Sequence, residues 1–375
     1  MQFSFSAQED SFRQHVRSTL LRPDIAELID VANGHQADPR PLYRALGEAG
    51  LLAVNWPIEF GGLGLGQIYA GIVIEEMGLA NVPDTLHLLS VQVVGSILLA
   101  SGTARQKKSL ARRIASGQMF ACVLFTEPET GTDLAAIRTT AKRMEDGSFR
   151  ISGRKRYSLR AGFADYGLCL ARTQDSATGH QGLTLFLLSL AEPGIAVHRL
   201  PSLADEPFHD VVLDDARATG ECVIGDEGTA WGTMLAALAF ERTGTDYMVR
   251  ARRWLKEIAT CAGAAAHLGA AEIGLASAEL EAAQLMCWDI LSRMDDGDCD
   301  ETMNAMAKLY NSELAQRIGW LGSELCPPGR LGSHRMLDAA HREAPGLTIS
   351  AGVSEAMLET IARSHLVRPE GGAST

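Results

Sequence analysis

Along the 375 residues the spacing of apolar positions changes twice. From about residue 5 to 118 apolar side chains recur at helical intervals, as in Leu42, Leu46 and Ala49, or in Ile68 and Ile72 leading to Glu75-Glu76-Met77, with Pro and Gly at the breaks. From about 119 to 228 the pattern becomes short apolar runs typical of strands: Cys122-Val123-Leu124-Phe125, Gly167-Leu168-Cys169-Leu170, Leu183 to Leu188 and Asp210-Val211-Val212-Leu213. Glu145-Asp146-Gly147 and Glu192-Pro193-Gly194 supply turns between them. From about 229 to 366 long Ala- and Leu-rich stretches return, with few breakers before Cys326-Pro327-Pro328-Gly329. The pattern predicts an α+β protein with a helical domain over 1–118, a β domain over 119–228 and a second helical domain over 229–375.

Composition narrows the function classes. At 46% hydrophobic the chain can bury a large core divided among two or three domains. A net charge of −12 argues against nucleic acid or an anionic membrane as the main partner, since either calls for a basic patch. The start, Met1 to Ser6, carries neither a basic n-region nor a long apolar h-region, and no run of about 18 apolar residues occurs, so a soluble cytoplasmic protein is expected. Seven cysteines stand singly and ten histidines are dispersed, without disulfide or metal-ligand spacing, so no metal is expected. Arg105-Gln106-Lys107-Lys108 with Arg112-Arg113 reads first as a solvated helix face, and second as a docking patch for an acidic carrier.

The stretch from Phe125 to Asp133, reading Phe-Thr-Glu-Pro-Glu-Thr-Gly-Thr-Asp, carries the chemistry. Thr126, Gly131 and Thr132 place hydroxyls and accessible backbone N–H groups at a strand exit, where they can reach the polar edge of a planar ring. About twenty residues later Ile151 to Ser158 brings Tyr157, suited to covering one face of that ring, or alternatively packed in the core as an ordinary strand aromatic.

These two segments resemble the flavin loop (Thr-Glu-Pro-x-x-Gly-Ser-Asp) and the Gly-x-Lys-x-aromatic strand of the acyl-CoA dehydrogenase family. Trp56-Pro57-x-Glu59-Phe60-Gly61-Gly62-Leu63-Gly64, the helix Ile72 to Gly78, and Ala351-Gly352-Val353-Ser354-Glu355 are similar to further family signatures, in the same order over most of the chain. The resemblance implies a middle domain that is barrel-like or a sandwich, and a C-terminal four-helix bundle mediating homodimer or homotetramer assembly. It implies FAD held by Phe125, Thr126, Gly131, Thr132, Tyr157 and Ser158. The implied reaction takes a proton from Cα and a hydride from Cβ of an acyl thioester, on CoA or an acyl carrier protein, with an electron-transfer flavoprotein or dioxygen as acceptor. Thr132, Arg242, Ala351 and Gly352 are the implied substrate-binding residues.

The base is informative. Many family members carry Glu where this chain has Ala351, which cannot accept a proton; a subset takes the base from a Glu-Arg pair on the first C-terminal helix, here Phe240-Glu241-Arg242. On helical geometry Met234, Leu238, Glu241, Thr245 and Met248 share a mostly apolar stripe, where a carboxylate pKa would rise toward a useful range. Arg242 would point about 100° away. Ala351 keeps its backbone N–H as a donor to the thioester oxygen. Four positions depart from the family pattern: Leu159 replaces a flavin-bonding Thr or Ser, with Ser158 one residue early; Tyr157 replaces Trp or Phe; Thr132 replaces Ser; Val353 replaces Thr. No Arg-x-x-Phe-Gly segment, which in the family reaches the FAD pyrophosphate, occurs between Arg250 and Ala283. Ala307-Lys308-Leu309-Tyr310 to Ala315 resembles the helix of short bacterial members that also lack it. The chain is thus open to three readings: a dehydrogenase with Glu241 as base, a non-catalytic or complementing subunit of a heteromer, or a flavin oxidase or monooxygenase on the same fold.

Overall fold

A computed structural model describes residues 4–34, 37–174, 179–234, 242–262, 269–326 and 335–366. The chain divides into two compact units, one spanning 4–241 and the other formed chiefly by 242–375.

In the first unit helix Ala7–Leu20 opens on a capping box, with Ser6 and Glu9 each accepting from the other's backbone N–H. Its Arg13 and Arg17 reach helix Gln67–Leu79, where Arg13 bonds Glu75 at 2.5 Å and Glu76 at 3.0 Å and Arg17 bonds Glu76 at 2.8 Å. Both carboxylates are buried beside Ile72, Val73 and Met77. A buried charge is tolerable only when paired, so these arginines let a helix with two inward glutamates pack at all. The Trp56 to Gly64 turn needs glycine for space: a Cβ on Gly62 would lie 2.1 Å from the Trp56 carbonyl oxygen.

The sheet of this unit holds β1 (Ala121–Leu124), β2 (Thr140–Arg143), β3 (Phe149–Leu159), β4 (Tyr166–Arg172), β5 (Leu183–Ser189), β6 (Ile195–Arg199), β7 (Phe208–Ala218) and β8 (Val223–Ile224). The order is β6-β7-β3-β2-β4-β5-β8, with β1 pairing β4 in parallel. β4 and β5 are buried along nearly their whole length and read as continuous apolar runs. Between the strands Phe149 and Phe186 meet edge-on, ring centroids 5.0 Å apart, among Cys122, Leu124, Ile151, Leu188, Val211 and Leu213. The architecture is α+β, as the sequence pattern indicates, with one connected mixed sheet as its β layer.

The second unit is helical: Thr245–Ala262, Ala270–Asp295, Glu301–Leu325, Arg335–Leu347 and Ser354–Leu366. The first four pack on one another around Trp254, Ile258, Leu280, Cys287, Leu314, Ile318 and Leu337. Asp300 starts the central helix by accepting from Thr302 N and Met303 N. Among the described residues no helix is long and apolar enough to cross a membrane. Nor does any described group of three or more His, Cys, Asp or Glu side chains stand ready to hold a metal ion.

Because Phe149 is fully buried against Phe186, Phe149→Ala should destabilise the fold by about 3–5 kcal/mol. The shift of the urea unfolding midpoint measures it; a change under about 1 kcal/mol would show that the sheet core repacks around the gap.

Candidate functional site

β1 runs out of the sheet into the Phe125 to Asp133 loop, and the loop is closed on itself and onto β3. Glu127 and Thr130 exchange backbone hydrogen bonds, at 2.9 and 3.2 Å, making a tight turn. Asp133 caps the short helix Leu134–Ala136 by accepting from Ala135 N at 3.1 Å. Arg156 N donates to Thr126 O at 2.8 Å, so the loop and the end of β3 lie side by side.

Inside this junction lies an ion pair that motif reading alone did not single out. Glu127 and Lys155 are buried, and Lys155 Nζ donates to Glu127 Oε1 at 2.9 Å and to Phe125 O at 3.2 Å. The Glu127 carboxylate also accepts from Arg138 N (2.6 Å), Thr139 N (2.9 Å) and the Thr139 hydroxyl (2.6 Å). Burial by itself raises the Glu127 pKa, but Lys155 together with the Thr139 and Arg138 donors outweighs it and holds the group below its ordinary 4.5. Gly153 makes room for this: a Cβ there would sit 2.3 Å from Thr139 Oγ1. The signal available in the sequence was a Lys standing in a strand otherwise buried through Phe149 and Ile151.

The structure brings Phe125, Thr126, Tyr157 and Ser158 together and places Gly131 and Thr132 on the exposed side of the same loop. Tyr157 is not packed in the core. The residue is 58% exposed, its φ is +56°, and its ring meets that of Phe208 edge-on with centroids 6.4 Å apart. A non-glycine residue held at positive φ is uncommon, and such outliers concentrate at functional sites. Ser158, in contrast, is buried with its hydroxyl unpartnered, as is the Thr130 hydroxyl. Among the described residues the Thr126 and Thr132 hydroxyls also bond nothing in the protein. An outward aromatic face beside the free Thr126 and Thr132 hydroxyls fits a planar, polar-edged ring such as a flavin, whereas the Ser158 and Thr130 hydroxyls are enclosed.

In the second unit Arg242, Ala351 and Gly352 converge. Arg242 Nε donates to Ala351 O at 3.4 Å, and Lys308 Nζ, fully buried, donates to Gly352 O at 2.5 Å. Lys308 also lies 5.7 Å from the centre of the Tyr247 ring, whose hydroxyl meets Ser350 Oγ at 3.1 Å. Ala351 takes φ +55° and Gly352 φ +106°. Among the described residues the backbone N–H groups of Ala351 and Gly352 have no acceptor. Two adjacent free donors in a held turn can bind an oxyanion.

Glu241 lies outside the described residues. The continuous stripe expected from Met234 to Met248 is not what the structure shows. Arg242 and Thr243 form a turn and Gly244 adopts φ +78°, so helix Thr245–Ala262 starts afresh beyond them. A Cβ on Gly244 would stand 2.7 Å from Asn311 Nδ2, so close packing on the central helix accompanies the break.

The three domain models of the acyl-CoA dehydrogenase family match in order: the N-terminal domain over 6–118, the middle domain over 122–216 and the C-terminal domain over 228–366. Acyl-CoA dehydrogenase FadE29 of Mycobacterium tuberculosis (strain ATCC 25618 / H37Rv) is 30% identical over 372 residues, covering 94% of either chain. The chain belongs to the acyl-CoA dehydrogenase family. Among solved structures, a glutaryl-coenzyme A dehydrogenase in complex with glutaryl-CoA superposes with a TM-score of 0.89 at 22% identity, covering 98% of this chain and 97% of that one. A glutaryl-CoA dehydrogenase from Mycobacterium smegmatis in complex with FADH2 superposes with a TM-score of 0.82 at 19% identity, covering 96% and 95%. At these identities the structures establish the shared fold. As an acyl-CoA dehydrogenase family member the chain is an oxidoreductase acting on CH–CH bonds, and members of the family use FAD.

The Glu127 pKa carries a pH prediction. Its folded value is lowered, so the stabilisation is fully present above the ordinary glutamate value near 4.5 and fades as pH falls through the lower folded value. Glu127→Gln leaves the buried Lys155 ammonium without a counter-charge and should cost about 3–5 kcal/mol at neutral pH. The deficit should be constant above pH 5 and shrink below pH 4.5, as read from urea unfolding across pH; a deficit independent of pH would remove the ionised carboxylate from the account.

Proposed function

We propose that this acyl-CoA dehydrogenase family member removes a Cα proton and a Cβ hydride from an acyl thioester, with Glu241 as the base. Bound FAD, held by Phe125, Thr126, Gly131, Thr132, Tyr157 and Ser158, supplies the hydride acceptor. The protein's own work is to hold the thioester oxygen, acidify Cα and take up its proton. A Cα proton beside a thioester is weakly acidic, so donors must gather on the oxygen as negative charge develops there.

One observation carries this reading: the turn at Ala351 and Gly352 leaves both N–H groups free while Arg242 and Lys308 occupy its carbonyls. That is the donor half of an enolising site, and Ala351 has no carboxylate to be its base. Glu241, one residue before Arg242 in sequence, is the group assigned to that task. Arg242 is the proposed substrate ligand beside this turn, with its Nε also on the Ala351 carbonyl. The substrate is an acyl group on CoA or on a carrier protein, and the electrons leave to an electron-transfer flavoprotein or to dioxygen. A homodimer or homotetramer is the proposed assembly. The missing Arg-x-x-Phe-Gly segment favours one second reading, a subunit whose flavin site is completed by a partner chain. The loss of one charge-assisted phosphate contact costs about 1.5–3 kcal/mol.

Purified alone and supplied with FAD, the protein is expected to show a flavin spectrum that bleaches anaerobically with an acyl thioester. Glu241→Gln should retain the flavin spectrum and slow the bleaching about 10²–10⁴-fold. An unchanged rate would take Glu241 out of the mechanism. A wild-type protein that takes up no FAD would instead favour the complementing subunit.

A further inference from the structure

β3 and β7 pair antiparallel with Lys155 opposite Val211 and, farther on, Ser158 opposite His209. Three steps on β3 therefore face two on β7, so one extra residue is inserted between Lys155 and Ser158. The insertion reverses the facing of the residues beyond it. Side chains alternate along a regular strand, so from an inward Lys155 the alternation would turn residue 157 inward and residue 158 outward. The bulge does the opposite: Tyr157 is 58% exposed and Ser158 only 3%. Tyr157 itself absorbs the distortion at φ +56°.

Nothing in the local sequence favours this arrangement. Lys is among the residues least often fully buried, and tyrosine at positive φ is strained. A slip of one residue at Lys155 would release the ammonium to solvent and remove the bulge. What opposes the slip is the Glu127 carboxylate, fixed in place by four donors, one of which is Lys155 Nζ at 2.9 Å. On the far side the strand is caught again, by His209 Nδ1 against Ser158 O at 3.3 Å and by Arg160 N donating to Pro207 O at 3.0 Å. Buried polar pairs of this kind are best attested as devices that select one register among alternatives, at little or no gain in stability.

We propose that the Glu127–Lys155 ion pair is a register lock: it fixes the β3 bulge and so turns Tyr157 outward and Ser158 inward. Both are positioning residues, acting through Tyr157 and Ser158, and their link to flavin rests on the function proposed above. The register itself does not depend on flavin and is tested separately.

The test uses the full chain with 3-fluorotyrosine, whose six positions give separate ¹⁹F resonances; the line lost in Tyr157→Phe assigns position 157. The double variant Glu127→Gln/Lys155→Met keeps both side-chain shapes and leaves no unpaired buried charge, so its thermal midpoint should stay within a few degrees of the parent. Its position-157 resonance should move or split, and its FAD dissociation constant should rise at least tenfold. A parent-like single resonance with FAD affinity within twofold overturns the proposal. Glu127→Gln alone keeps an acceptor for Lys155 but leaves its buried ammonium without a counter-charge, so it should melt below the double variant, and its spectrum is read below its own midpoint. Its resonance should shift in the same direction, and an unchanged one overturns the proposal equally. If the parent takes up no FAD, the flavin reading falls while the ¹⁹F comparison still decides the register.

Discussion

The first unit turns on one buried charge pair. Moving a carboxylate and an ammonium out of water costs several kcal/mol each, and a pair offsets that only when the remaining lone pairs and protons are also satisfied. Glu127 meets the condition with both oxygens engaged, and Lys155 with bonds to the carboxylate and to Phe125 O. Meeting it requires three segments at once: the loop after β1, the Arg138-Thr139 stretch entering β2, and the middle of β3. Each would be free to shift separately on hydrophobic grounds alone, since apolar contact is non-directional. The pair therefore contributes placement more than stability, and the exposed Tyr157 face and its flanking hydroxyls inherit their positions from it.

The same logic recurs in the helical part of that unit. Glu75 and Glu76 turn inward on helix Gln67–Leu79 because Arg13 and Arg17 meet them. In both places a directional, charge-assisted contact selects one packing out of several that would bury similar apolar area.

Much of the architecture was legible from spacing alone, and the misses have physical causes. β5, buried on both faces, stands out as an apolar run, whereas β2 and β6 are largely exposed and carry little apolar signal. Helix Gln67–Leu79 was readable, but the burial of its glutamates was not, because their partners stand some sixty residues away. The stripe from Met234 to Met248 assumed a continuous helix; a lone Gly inside a helical pattern is often tolerated, and only the contact with Asn311 shows why Gly244 breaks it. At the candidate site, motif resemblance singled out Tyr157, Ser158, Ala351 and Gly352. For Tyr157 the sequence left two readings, covering a ring and packing in the core; strand alternation counted from Lys155 favours the second, and the structure exposes the residue.

At residues 351 and 352 the second unit holds a turn by its carbonyls. The Ala351 C=O and the next N–H belong to one planar trans peptide and point in opposite directions. With Arg242 on the Ala351 oxygen, the Gly352 N–H is turned away from the guanidinium and polarised by it. Lys308 does the same to the following peptide through Gly352 O. The arrangement suits a turn that offers only donors, held at a cost of about 1–2 kcal/mol for alanine in the left-handed region. The function proposed above therefore assigns the acid–base work to a carboxylate carried elsewhere in the chain, Glu241 of the Glu-Arg sequence at 241–242.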